Sequence, residues 1–265
     1  MNTSLLDGNR LGLGAMRLAL GGSVRDPGTA VAVLRRAVEL GVTHIDTAGT
    51  YGFGDLHAHE LIRQALSPYP DDLVIASKVA VPAEADAGQV RGLVEQDLRR
   101  LGLDHLDLVY LRVGGMGAAG GEPLGDRFTA LAELRAEGLI QHLGVSHVDA
   151  DQLTEARTIA PVAAVQNHFH IHHRDDAKLL AQCEQDGIAY VPYFPLGGGR
   201  ADLTRLAPIA ARHEAAPAQI ALAWLLAISP VTLAIPGTST LAHLTENLAA
   251  ADLRLTPGDL AELHS

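Results

Sequence analysis

Short runs of aliphatic and β-branched residues recur along the chain, each halted by a polar side chain and followed by a stretch whose apolar positions fall three and four apart. The first pattern suits a strand buried on both faces, the second an amphipathic helix. The pattern predicts strands at 11–15, 42–46, 73–78, 106–112, 140–146, 162–166, 188–193 and 231–236. It predicts helices at 27–40, 59–65, 87–101, 127–137, 149–159, 175–186, a pair within 202–226, and 241–250. Gly41, Gly102, Gly138 and Gly187 follow four of these helices, where a left-handed residue ends the spiral. Such alternation builds a parallel sheet. Eight strand–helix units in 265 residues fit a (β/α)8 TIM barrel, one domain spanning 1–265, with an open doubly wound sheet as the alternative.

Composition narrows the function classes. With 48% hydrophobic and 19% charged residues the chain can bury a core, which excludes wholesale disorder. A net charge of −11 and the lack of any Lys/Arg run longer than two argue against a nucleic-acid partner. The single cysteine, Cys183, can form no internal disulfide, and MNTSLLDGNR lacks the regions of a signal peptide, so a cytoplasmic location is expected. The longest apolar stretch, 220–235, is broken by Ser229-Pro230 and falls short of the roughly 20 residues a bilayer requires. It reads as a core helix followed by a strand, and no membrane partner is expected.

In a barrel of this kind the chemistry gathers at the carboxyl ends of the strands. Here those ends carry Asp46, Lys78, Arg112, Ser146-His147, Gln166-Asn167 and Tyr193. Any one of them could be a cap or a surface group. Lys78 stands out as one of two lysines beside 18 arginines.

The segments GVTHIDTAGTYGFGDLHAHELI, ASK, LDLVYL, GLIQHLGVS, VQNHF, YFPLGGG and IPGTSTLAHLTENLAAADLRLT stand in this order over residues 11–256 and resemble the aldo-keto reductase family. The most specific are Asp-Thr-Ala-x-x-Tyr-Gly and the terminal Pro-Gly-Thr-Ser followed by Glu-Asn. The resemblance implies a (β/α)8 barrel and reversible hydride transfer between a nicotinamide cofactor, usually NADPH, and an aldehyde, ketone or alcohol. It implies Tyr51 as general acid with Lys78 and Asp46 beside it. An ammonium next to a phenol favours the phenolate and brings a pKa of about 10 toward the working range, while a carboxylate fixes the lysine.

The same resemblance assigns Ser146 and Gln166 to the nicotinamide carboxamide, Tyr193 to stacking on the ring, and Leu196 and Gly197 to the loop tracking the pyrophosphate. Gly237, Thr238, Ser239 and Thr240 precede a predicted helix, where a phosphate is favoured. Glu246 and Asn247 match the adenine-binding pair. Three positions depart from the family. His147 stands for a common asparagine, and His243 for an arginine that often clamps the 2′-phosphate, so NADPH is expected with NADH less so. Arg112 stands where a histidine is usual. A guanidinium cannot shuttle a proton, but it can polarise a carbonyl, hold a substrate carboxylate or bias Tyr51; alternatively it turns outward to the surface.

Other readings stay open. A nucleotide-sensing protein that lost turnover with the histidine is one. A metal hydrolase drawing on His168, His170, His172 and His173, or on His57 and His59, is another, with no metal the expectation. Gly115 to Gly120 matches G-x-G-x-x-G, but Gly-Glu-Pro follows at once and suits a loop rather than a helix. The chain ends at Leu263-His264-Ser265 soon after its last predicted helix, so an open mouth accepting a range of small carbonyl substrates is expected.

Overall fold

The computed structural model describes residues 5–6, 8–20, 26–115, 117 and 119–264, the last without its side chain. The G-x-G-x-x-G run includes Met116 and Ala118, which lie outside the described residues. The chain begins β1 (Leu13–Gly14), α1 (Met16–Ala19), α2 (Pro27–Glu39), β2 (His44–Asp46), β3 (Gly52–Phe53), β4 (Leu56–His57), α3 (Ala58–Leu66) and β5 (Val74–Ala80). It continues α4 (Ala87–Leu101), β6 (Leu106–Arg112), α5 (Gly125–Ala136), β7 (Ile140–Ser146), α6 (Ala150–Ile159), β8 (Ala164–Gln166), α7 (Ala177–Asp186) and β9 (Ala189–Tyr190). Then come α8 (Ala207–Arg212), α9 (Pro217–Ile228), α10 (Leu241–Ala249) and α11 (Pro257–His264).

Strands β1, β2, β5, β6, β7, β8 and β9 lie side by side in that order, all parallel, while β3 and β4 form a small antiparallel hairpin. Right-handed crossovers through helices are what a parallel sheet demands, and the helix signals are in place. Asp86 with Gln89 and Asp149 with Gln152 form capping boxes at α4 and α6. Gly102 and Gly187 end α4 and α7 in the left-handed region, at φ 69° and 67°.

The expected strand at 231–236 differs. It makes isolated parallel bridges, Thr232 with Tyr190 of β9, Ala234 with Leu11, and Gly237 with Gly14 of β1. Leu233 N donates to Tyr190 O at 2.9 Å and Ala234 N to Arg10 O at 2.9 Å, so the segment ties the last strand of the sheet to the first. Pro236 has no N–H to give, which keeps the bonds from extending into a ladder. Among the described residues no helix is long and apolar enough to cross a membrane.

Successive side chains of a strand point to opposite faces. One face is filled by Ala76, Leu108, Tyr110, Ala164, Ala189, Val191, Leu233 and Ile235, which form a core cluster of their own, apart from the larger one beneath the helices. Small residues make room for Tyr110 there: a Cβ at Gly144 would lie 2.5 Å from its ring. Two residues further along the same strands and the same face stand Lys78, Arg112, Ser146 and Gln166. The register pairs Lys78 with Tyr110, Arg112 with Ser146, and Ser146 with Gln166. The apolar filling thus ends in a row of polar side chains.

Candidate active site

Lys78 and Asp46 anchor that row. The lysine Nζ donates to both Asp46 carboxylate oxygens at 2.7 Å and to Thr47 O at 2.9 Å. Both side chains are almost wholly buried. Burial works against the charge on Lys78, yet the Asp46 carboxylate, and behind it Tyr51, outweigh it, so its pKa lies above the ordinary lysine value. Gln166 Nε2 also donates to Asp46 Oδ1, at 2.7 Å.

Tyr51 comes to this pair from the turn after β2. Its N–H donates to Ala48 O and its carbonyl accepts from Ala58 N, at 2.9 and 2.8 Å, so the turn is pinned on both sides. Its ring centroid lies 5.1 Å from Lys78 Nζ. The phenol, the amine and the carboxylate therefore meet at one point although 32 positions separate Asp46 from Lys78 along the chain.

Arg112 turns inward. Its Nη1 donates to Ser146 Oγ at 3.4 Å, its Nη2 to Gly115 O at 3.0 Å, and its Cζ sits 5.0 Å over the Tyr193 ring. Tyr193 also stacks on His168, with centroids 5.3 Å apart, and its hydroxyl is 3.1 Å from His147 Nδ1. Burial raises the Tyr193 pKa against the opposing charge of Arg112. Burial, then Arg112, lower that of His147, which the backbone holds at a positive φ of 62°.

Asp46, Tyr51, Tyr193, Leu196, Gly237, Thr238, Ser239, Thr240, His243, Glu246 and Asn247 all line one cleft of about 430 Å³. Gly197 is in the same loop as Leu196, and the Gly197–Gly199 run has φ of 67°, 65° and 81°, a curl that glycine adopts without strain. Thr240 caps α10 by accepting from His243 N at 3.2 Å.

The cleft has further lining residues that the strand-end pattern does not mark. Met16 and Arg17 also line the cleft, and Arg17 Nη2 reaches across to Gly198 O at 3.0 Å. Their signal was position: they directly follow the first strand. Phe194, with φ 54°, is a further lining residue. Asn167 is spent within the scaffold, donating to Val148 O and Asp176 and accepting from Val148 N. The four loop histidines form a ring cluster, His168 stacking on His173 at 4.1 Å, and burial takes the His170 pKa down to about 4. Among the described residues no group of three or more His, Cys, Asp or Glu is placed to hold a metal. Cys183 is buried, and burial pushes its thiol up to about 12.

Comparison with known proteins gives the arrangement its context. A family model described as the aldo/keto reductase family matches residues 10–265. A protein of Escherichia coli K12 named pyridoxine 4-dehydrogenase is 45% identical, the alignment covering 96% of this chain and 93% of the relative. A thermostable aldo-keto reductase solved with the inhibitor epalrestat superposes with a TM-score of 0.84 at 34% identity, over 96% of this chain and 93% of that one. An aldo/keto reductase of Klebsiella pneumoniae solved with NADP and acetate superposes equally well, TM-score 0.84, at 31% identity over 96% and 89%.

Proposed function

Since the chain belongs to the aldo/keto reductase family of oxidoreductases, we propose that it is an NADPH-dependent reductase of small aldehydes or ketones, one (β/α)8 domain with Tyr51 as the general acid. The observation that carries this reading is the Lys78 ammonium, held by Asp46 and facing the Tyr51 ring at 5.1 Å. Residues 231–237, bonded to β1 and β9, take the place of the eighth strand.

The residues present fit a nicotinamide dinucleotide. Among the described residues Gln166 Oε1 is buried and has no hydrogen-bond partner, so it has capacity for a carboxamide N–H. A Cβ at Gly237 would come 3.1 Å from Gly14 O, so the two backbones pack closely along that wall of the cleft. Ser146, His147 and Gln166 would hold the carboxamide, Tyr193 the ring, Leu196 and Gly197 the pyrophosphate. Residues 237–240 and His243 at the start of α10 would hold the 2′-phosphate, with Glu246 and Asn247 on the adenine. The cofactor supplies the hydride. Tyr51 orients the carbonyl oxygen by a hydrogen bond and delivers a proton to it, and Lys78 stabilises the negative charge left on the phenol oxygen. Asp46 holds Lys78 in place, and the cleft walls exclude water.

Mixing the NADPH-loaded protein with a carbonyl panel that includes pyridoxal tests the reading: one turnover of cofactor oxidation is expected, and binding without oxidation would mark a sensor instead. Equilibrium titration should give NADPH an affinity about tenfold above NADH, about 1.4 kcal/mol, and His243→Arg should widen the gap. Equal affinities would remove the assignment of His243.

Arg112 is proposed to grip an anionic group of the substrate, since its guanidinium faces the same row as Gln166. In Arg112→His, kcat/KM for a carboxylate-bearing aldehyde should fall by about 10-fold or more, the loss of a charged hydrogen bond, while neutral aldehydes are reduced as well or better. A uniform change across both classes would contradict this role.

A further inference from the structure

Behind the catalytic row lies a second polar cluster that the proposed chemistry does not use. Ser77 neighbours Lys78 on β5 but points to the opposite face. Its hydroxyl donates to Asp97 Oδ2 at 2.6 Å and lies 3.3 Å from His59 Nε2. His59 Nδ1 is 3.4 Å from Asp97 Oδ1 and, among the described residues, has no hydrogen-bond partner. Ser77, His59 and Asp97 are all buried, at 0%, 1% and 2% exposure, so each polar atom left without a partner there is costly. Asp97 falls on the apolar stripe of α4, among Val90, Val94, Leu98 and Leu101.

Three contacts close this cluster into a ring, and each needs one hydrogen. Ser77 brings one and a neutral imidazole brings one; the tautomer with its N–H on Nε2, directed to Ser77 Oγ, is the one that fits, because Nδ1 makes no hydrogen bond to Asp97. With Asp97 ionised, the link between Oδ1 and Nδ1 then joins two lone pairs. One further proton, on Asp97 Oδ1, completes the ring.

The ring touches the turn that carries Tyr51. A Cβ at Gly49 would lie 2.6 Å from Asp97 Oδ1, so the carboxyl is packed against the backbone two residues before the phenol. One helical turn on, Arg100 Nη1 donates to Gly49 O at 3.1 Å. We propose that Asp97, with Ser77 and His59, is a positioning residue for Tyr51: a ring that closes on taking up a proton and then fixes the turn at Gly49. The inference rests on Tyr51 being the acid.

The charged and titratable surroundings agree. Arg100 from α4, Lys78 from β5 and His57 from β4 face the ring, and Glu60 of α3 approaches Arg100 at 3.9 Å. Burial, followed by Arg100, Lys78 and His57, takes the His59 pKa down to about 3, which keeps the imidazole neutral. Burial raises Asp97 to about 6 against the Ser77 bond and Arg100. The folded protein therefore keeps this proton where an unfolded chain has lost it, and releases it as the pH rises through about 6.

Two readouts on the whole protein test the proposal. In protein carrying 13C-labelled aspartate carboxyls, one resonance absent from Asp97→Asn should titrate near pH 6. In saturating NADPH and carbonyl, kcat should fall about threefold along a limb with that midpoint as the pH rises, through loosened positioning rather than lost binding. An asparagine amide donates to Nδ1 at every pH, so Asp97→Asn should hold the acid-side kcat with that limb gone and KM for NADPH unchanged. Ser77→Ala removes a bond that stabilises the carboxylate, so the resonance and the limb should move upward together. An Asp97 carboxyl that titrates in the ordinary range overturns the ring. A limb that persists in Asp97→Asn, or that stays put in Ser77→Ala while the carboxyl moves, overturns its link to Tyr51. The carboxyl titration stands or falls separately from the identity of the acid, which Tyr51→Phe decides.

Discussion

Tyr51→Phe is expected to lose carbonyl reduction by about 10²- to 10⁴-fold in kcat, the range for removing a positioned proton donor, with NADPH affinity unchanged. The substitution deletes one oxygen and keeps the ring that packs against the core. The turn is held by backbone bonds at Ala48 and Ala58 rather than by the hydroxyl, so its shape should survive. Loss of turnover would therefore report chemistry, not folding. Single-turnover oxidation of bound NADPH separates the two, because binding and the chemical step are read in one trace. A variant that turns over at the wild-type rate would remove Tyr51 from the mechanism.

Lys78→Met should give the second large effect, and it has two parts. Turnover should fall by about 10²-fold or more, since nothing then stabilises the charge left on the phenol. Stability should fall by about 3–5 kcal/mol, because the Asp46 carboxylate remains buried beside an apolar side chain with only Gln166 Nε2 and its surroundings to hold it. Adding Asp46→Asn to Lys78→Met removes the stranded charge. The double variant should regain most of the lost stability in a urea titration and none of the activity. If the single variant unfolds like wild type, the buried pair contributes less than its geometry implies; if the double variant regains turnover, the ammonium is not needed for proton delivery.

Much of the site was legible because strand periodicity is strict. The apolar run 106–112 ends in Arg112, and the period of two that places Leu108 and Tyr110 in the inner cluster also places Arg112 at its rim. The expected spans 106–112 and 140–146 coincide with β6 and β7. Shorter strands were overdrawn: β1 and β9 hold two residues each. The β3–β4 hairpin carried no periodic signal, being two residues on each side of a turn at Gly54. Helix α11 carries a start signal in Thr-x-x-Asp, Thr256 accepting from Asp259 N while the Asp259 carboxylate accepts from Thr256 N.

Side-chain partnerships were less legible than positions. Gln166 is expected from its strand end to serve the cofactor; in the structure its Nε2 braces Asp46, a contact between residues 120 apart in sequence that no local pattern encodes. His57 and His59 looked like a pair along the chain, yet His59 joins Ser77 and Asp97 while His57 faces Gly52. The clue to Asp97 was there, a carboxylate where the helix stripe called for an aliphatic residue. Its partners emerge only when α3, α4 and β5 are packed together.

The central claim is that Tyr51, backed by Lys78 and through it by Asp46, delivers the proton to the oxygen of the carbonyl that receives the hydride. A crystal structure of the protein with NADPH and a carbonyl inhibitor measures this directly. The account predicts the carbonyl oxygen in hydrogen-bond reach of the Tyr51 hydroxyl, with the nicotinamide against Tyr193 and its carboxamide on Gln166. A nicotinamide bound away from Tyr51, or a carbonyl oxygen held by another donor, would contradict it.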